Sequence, residues 1–146
     1  MNQHNGCRYQ NLTRDYTPAD LAAFHGHLGP FIVLGYRIGR YVRKTFCDDP
    51  FAMQAIIHCA GTPPESCLVD GIQLGCGCTL GKRNIEIRES NTIRCEFVAG
   101  GSTMVIVPRP FDLPPRDEED YEAAIERYAE ELFALPDDRL FTSRME

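Results

Sequence analysis

Residues 84–107, NIEIRESNTIRCEFVAGGSTMVIV, decide the fold. Three short runs, 84–89, 92–98 and 103–107, are rich in Ile, Val, Phe and Thr. Such residues suit a pleated, half-buried strand. Asn91 separates the first two runs and Gly100-Gly101 the last two. Asn and Gly tolerate the left-handed backbone of tight turns, so both sites read as hairpin turns. Two neighbouring hairpins predict an antiparallel meander.

Helical signals lie on both sides. Upstream, Thr17-Pro18-Ala19-Asp20 opens a helix, with Thr17 as N-cap, Pro18 at the first position and Asp20 as capping-box partner. Gly26, Gly29 and Pro30 end it early, and Pro30 starts a second helix. Phe31, Leu34, Ile38, Tyr41 and Val42 fall on one face of that helix. Gly35 and Gly39 allow another backbone to approach closely, within the domain or across a dimer. Asp48-Asp49-Pro50 is a break before a strand over 51–59, and Ser66 can cap a helix from Cys67 to about Leu74. Downstream, Pro108, Pro110, Pro114 and Pro115 form a stiff connector. A helix over 117–135 follows, with Tyr121, Ile125, Tyr128 and Leu132 on one face and acids in its first turn. The order predicts an α+β class: N-terminal helices packed on a mainly antiparallel sheet, with an acidic C-terminal helix. Residues 1–16 read as a flexible segment, 17–110 as the core and 111–146 as a helical extension of the same domain.

The chain has 146 residues, 43% apolar and 25% charged, which suits one globular domain. No apolar run approaches the roughly 18 residues of a membrane span. Residues 1–16 lack the apolar stretch of a signal peptide, so a cytoplasmic protein is expected. The net charge of −6 is uneven: residues 112–146 carry twelve Asp/Glu and four Lys/Arg, a balance of −8, and the rest carries +2. No basic stripe argues for nucleic acid. Seven Cys is an odd number, which fits reduced thiols or metal ligands better than a disulfide framework.

Three clusters can carry chemistry. In Phe24-His25-Gly26-His27-Leu28-Gly29-Pro30, two imidazoles can face one side if the backbone is extended, and imidazole is the commonest protein metal ligand. The helix start at Pro30 also offers free N–H groups to an anion. The alternative is a surface or structural pair. In Pro64-Glu65-Ser66-Cys67-Leu68-Val69-Asp70-Gly71, Cys67 falls in a first helical turn, which lowers a thiol pKa. The alternative is a buried, inert Cys. In Gly75-Cys76-Gly77-Cys78-Thr79-Leu80-Gly81-Lys82, the order of a phosphate loop is absent, because Arg83 follows Lys82. Lys82 and Arg83 can meet an anionic group or be solvated charges at a strand start.

Taken in order, these clusters resemble the FmdE family, named for formylmethanofuran dehydrogenase. The matching stretches are 24–37 (FHGHLGPFIVLGYR), 67–73 (CLVDGIQ) and 77–84 (GCTLGKRN), within a resemblance over roughly residues 17–110. It implies an α+β core, a homodimer, a pocket lined by the His-x-His and Cys motifs, and a link to one-carbon and molybdenum or tungsten enzymology in anaerobes. Carried over by position, His25, His27, Cys67 and Cys78 are implied metal ligands. Their N and S donors suit zinc, with nickel or iron as other divalent candidates. Asp70 is an expected hydrogen-bond acceptor for an imidazole, and Gln73, Lys82 and Arg83 are expected to meet a small, anionic ligand. Two departures stand out. Gly29 replaces a Cys common in the family, which opens a coordination position. No Cys follows Cys95, so the zinc module that many members append is expected to be missing.

Three functions follow as expectations. The first is a metal-assisted pocket that holds or processes a small ligand. The second is a non-enzymatic accessory or metal-handling protein for a molybdenum or tungsten enzyme. The third is thiol redox chemistry between Cys67 and Cys78 or Cys76, which the lack of a thiol at position 29 disfavours.

Overall fold

A computed structural model of the chain describes residues 7–117 and 119–146. The first helix, α1 (Pro18–His25), has the expected capping box: Thr17 Oγ1 accepts from Asp20 N at 3.2 Å and Asp20 Oδ2 accepts from Thr17 N at 2.9 Å. Gly26 ends it in the left-handed region at φ 108°, where a Cβ would be strained. The second, α2 (Pro30–Thr45), opens with Pro30 after Gly29 at the N-cap.

Strand β1 (Gln54–Cys59) leads through a 3-10 turn at Glu65–Cys67 into α3 (Leu68–Cys76). Strands β2 (Ile85–Glu89), β3 (Arg94–Ala99) and β4 (Ser102–Pro108) follow, then α4 (Tyr121–Ala134), α5 (Asp137–Leu140) and β5 (Phe141–Met145). The sheet order is β2-β1-β3-β4-β5, antiparallel except for β1 and β2. The expected α+β class, with helices against a mostly antiparallel sheet and a C-terminal helix, is what the chain forms.

Half of the expected meander forms. Gly100 (φ 58°) and Gly101 (φ 79°) make the two-residue turn of the β3–β4 hairpin. The β2–β3 hairpin does not form. Strand β1 lies between its two arms, in parallel with β2 and antiparallel to β3. The turn after β2 crosses the end of β1, with Ser90 N donating to Cys59 O at 2.9 Å. Stepping over one strand spans roughly 9.6 Å, within reach of four linking residues. Strand β1, helix α3 and strand β2 thereby make a parallel crossover unit.

The glycines on α2 are used inside the chain. A Cβ on Gly35 would strike the Leu68 carbonyl, and one on Gly39 would stand 2.9 Å from the Ile72 carbonyl and the Gly75 Cα. Residues 35 and 39 thus face about 68–72 and 72–76, so α2 and α3 run side by side in the same direction. Both N-termini lie at one end of the molecule. Alternate residues of the central strands, including Ala55, Ile57, Cys95, Phe97 and Ile106, share one core with both helices. The C-terminal helix is tied to α2 by buried Arg37. Its guanidinium donates to the carbonyls of Phe133 (2.7 Å) and Leu132 (3.2 Å) and to Asp137 Oδ1 (2.9 Å).

The N-terminal segment is fastened at its far end. Arg14 donates to the carbonyls of Asp48 and Cys76, both at 2.7 Å, and Tyr16 N donates to Tyr36 Oη at 2.8 Å. Residues 1–6 of the expected flexible segment lie outside the described residues. The acidic helix begins later than its charge pattern suggests. Asp120 is the N-cap, with its side chain accepting from Ala123 N, and Asp117 and Glu119 precede the helix.

Candidate functional site

Because α2 and α3 are parallel, the loop entering each arrives at the same end. His25 closes α1, His27 lies in the loop before α2, and Cys67 immediately precedes α3. All three line one cavity of about 180 Å3. Its walls are otherwise mainly apolar, with Phe31, Ile32, Pro64, Leu113 and Ile125 among them. The His25 and His27 rings are 5.1 Å apart between centroids and tilted by 46°.

Asp70, in the first turn of α3, sets the state of His25. Its Oδ2 lies 2.7 Å from His25 Nδ1, and the imidazole is only 12% exposed. A carboxylate only accepts, so Nδ1 carries the hydrogen. In the neutral ring, Nε2 is then the lone-pair donor, the arrangement found around metal-binding and proton-transferring imidazoles. Sequence spacing points to Asp70 as such an acceptor, and the structure makes the contact.

The Cys67 thiol runs opposite to expectation. Burial pushes its pKa up, the neighbouring Asp70 charge pushes it further, and a backbone hydrogen bond offsets this only in part. Ser66 and Cys67 form the 3-10 turn, and the α-helix starts at Leu68. Cys67 is thus the N-cap, and burial, with the carboxylate one turn on as the second cause, outweighs what the backbone gives the thiolate there.

The remaining expected residues lie elsewhere. Cys78 follows α3, whereas Cys67 precedes it, and nine residues of helix separate their ends by roughly 13 Å. The buried Cys78 thiol donates to Met53 O at 3.5 Å. The neighbouring Cys76 thiol and burial keep its proton on, and Cys76 is shifted down. Gln73 Oε1 accepts from Leu80 N at 2.8 Å. Lys82 Nζ donates to Thr79 Oγ1 at 2.9 Å and sits 5.4 Å over the Phe51 ring. Arg83 takes a left-handed backbone at φ 60°. Gln73, Lys82 and Arg83 thus belong to the turn that launches β2, and none of them lines the cavity.

The structure also adds residues that sequence reasoning left out of the site. Leu113, Arg116, Tyr121 and Ile125 come from the Pro-rich connector and α4 and line the same cavity as the imidazoles. The apolar face of α4 was the available signal, since Tyr121 and Ile125 begin it. Position 29 carries a further consequence. A Cβ there would stand 2.9 Å from His27 Cε1, so the His27 ring occupies the space beside Gly29. Among the described residues, no three His, Cys, Asp or Glu side chains form a group placed to hold a metal ion.

Parallel helices over a mostly antiparallel sheet, with imidazoles and a thiol gathered at their shared end, define an α+β pocket domain. The family model described as FmdE, Molybdenum formylmethanofuran dehydrogenase operon, matches residues 24–142, and the chain belongs to that family. The match runs past residue 110 and takes in α4. A probable S-adenosyl-L-methionine-binding protein of Archaeoglobus fulgidus is 35% identical over 69 residues, which are 42% of this chain and 18% of that protein. The chain thus spans less than a fifth of that relative's length. No helix among the described residues is long and apolar enough to cross a membrane.

Proposed function

We propose that the cavity beside His25, His27 and Cys67 holds a small ligand, with a divalent metal bound by those three side chains. The observation that carries this reading is the 2.7 Å contact between His25 Nδ1 and Asp70, which leaves Nε2 as the imidazole's donor beside an apolar cavity. Two imidazoles and a thiol are the donor types that suit zinc; the three do not stand as a ready-made ligand group, so they would have to draw together around the ion. Cys78 stays out of that set because α3 stands between. When bound, the metal would supply Lewis acidity or lower the pKa of a bound water.

The protein's own residues do the rest. Asp70 fixes the His25 tautomer, and the apolar wall excludes water and strengthens polar contacts within. A cavity beside the donors supports ligand holding over a closed structural metal site, which would fill all four positions from the protein. Its volume of about 180 Å3 lies below the roughly 300–1,000 Å3 typical of drug-sized ligands. Any homodimer would use a surface other than the Gly35–Gly39 face, which α3 covers.

Elemental analysis of protein purified without added metal tests the reading. Near-stoichiometric zinc, nickel or iron is expected, lost in His27→Ala and Cys67→Ala with the fold retained by circular dichroism. Cys78→Ser is expected to keep its metal. Metal-free wild-type protein that also fails to take up zinc, or full metal in both alanine variants, refutes it.

A further inference from the structure

We infer that the ligand is a small carboxylate with an apolar body, and that Arg116, rather than Lys82 or Arg83, receives its charged end. This inference deepens the pocket reading above and rests on it. Arg116 is the one Lys or Arg side chain among the described residues that lines the cavity, and no described carboxylate lines it. That absence is selective, because acids crowd the same segment: Asp112, Asp117, Glu119, Asp120 and Glu122 all lie within six residues of Arg116.

The start of α2 on the same wall agrees in sign. Gly29 caps α2 without a side-chain hydrogen bond, and Phe31 and Ile32, in the first helical turn, line the cavity. Amides of a first turn have no partner within the helix and carry partial positive charge. Arg116 is exposed and reaches the cavity from its rim, with its guanidinium 5.4 Å over the Tyr121 ring. This cation–π contact keeps the guanidinium at the rim, and its planar fork can meet a carboxylate in two parallel hydrogen bonds. The walls beyond it are Leu113, Ile125, Phe31 and Pro64, which favour an apolar body over an inorganic oxyanion.

Isovalerate, its neutral counterpart isovaleramide and inorganic phosphate separate the possibilities. Each is titrated into chelator-treated, metal-free protein, with aromatic and methyl resonances of Phe31, Tyr121 and Ile125 observed by NMR. Saturable shifts are expected with isovalerate, at least tenfold weaker binding with isovaleramide, and none with phosphate. Arg116→Gln is expected to weaken isovalerate at least tenfold and to leave isovaleramide unchanged. Equal binding of acid and amide, binding of phosphate in place of isovalerate, no saturation by any probe, or an unchanged Arg116→Gln variant overturns the inference. Metal content of Arg116→Gln is measured alongside. Normal metal with no carboxylate effect removes this inference alone, and absent metal with the carboxylate effect intact removes only the metal.

Discussion

Replacing Gly71 by alanine places a methyl group where the backbone of α2 already stands. The new Cβ would collide with the Ile32 carbonyl and the Tyr36 amide, with the Gly35 carbonyl carbon at 2.9 Å. All three obstacles are backbone, so no side chain can rotate away. On an open helix surface the same change would stabilise by about 1 kcal/mol through helix propensity. Overpacking a close contact costs about 1–3 kcal/mol, and a backbone obstacle puts Gly71 at the upper end. The net expectation is a loss of about 2 kcal/mol. For a chain of this size that lowers Tm by roughly 6 °C. The helices must also part at the end that carries the site. Asp70 and Cys67 then move from His25, and the His25 ring resonances shift with them. Urea unfolding of Gly71→Ala against Gly81→Ala measures the effect, because a Cβ at Gly81 meets nothing within 4 Å. Stabilisation by Gly71→Ala, or equal effects of the two, refutes the close approach of α2 and α3.

Other expectations follow from single contacts. Arg37→Met removes every hydrogen bond of a buried guanidinium that clasps the end of α4, and is expected to cost about 2–4 kcal/mol in urea unfolding; a loss below about 0.5 kcal/mol, the range of neutral surface changes, would refute the clasp. Gly29→Cys meets no backbone barrier at φ −125° but must displace the His27 ring, so a changed His27 Cε1–H resonance is expected with stability within about 1 kcal/mol. An unmoved resonance would contradict the packing of that ring. Asp70→Asn removes the charge that helps to hold the Cys67 thiol protonated. The thiolate is the reactive form, so alkylation of Cys67 by iodoacetamide should accelerate, with its pH midpoint moving down. An unchanged pH profile would show that burial alone sets that thiol.

Features that neighbouring residues decide were legible in the sequence. The capping box at Thr17 and Asp20 closes within four residues, and the Gly100-Gly101 turn within two. Each rests on local backbone geometry and needs no distant partner to form. The β2–β3 reversal looks equally local but is not. Alternation and a turn residue are the same whether two strands pair directly or stand one strand apart. What separates them is the crossover through α3, which the strand pattern itself does not contain. The fifth strand was missed for a related reason, since 141–145 gains its partner only when α4 and α5 fold back to β4.

The site divides along α3. His25, His27, Cys67 and Asp70 sit at the helix entry and converge. Cys78, Gln73, Lys82 and Arg83 sit towards its exit or beyond, and help to build the turn into β2. Motifs a few residues apart in sequence suggest one pocket, but a nine-residue helix is a spacer of roughly 13 Å. Closeness across the fold comes instead from the glycine contact of α2 with α3, which brings Gly29 and Cys67 to one end although 37 positions separate them. The same contact accounts for the role of α4. With the entries of α2 and α3 side by side, a cleft remains open above them, and the Arg37 clasp holds α4 where Tyr121 and Ile125 cover it. The acidic segment is thus a wall of the pocket, and Arg116 is the positive group it contributes there.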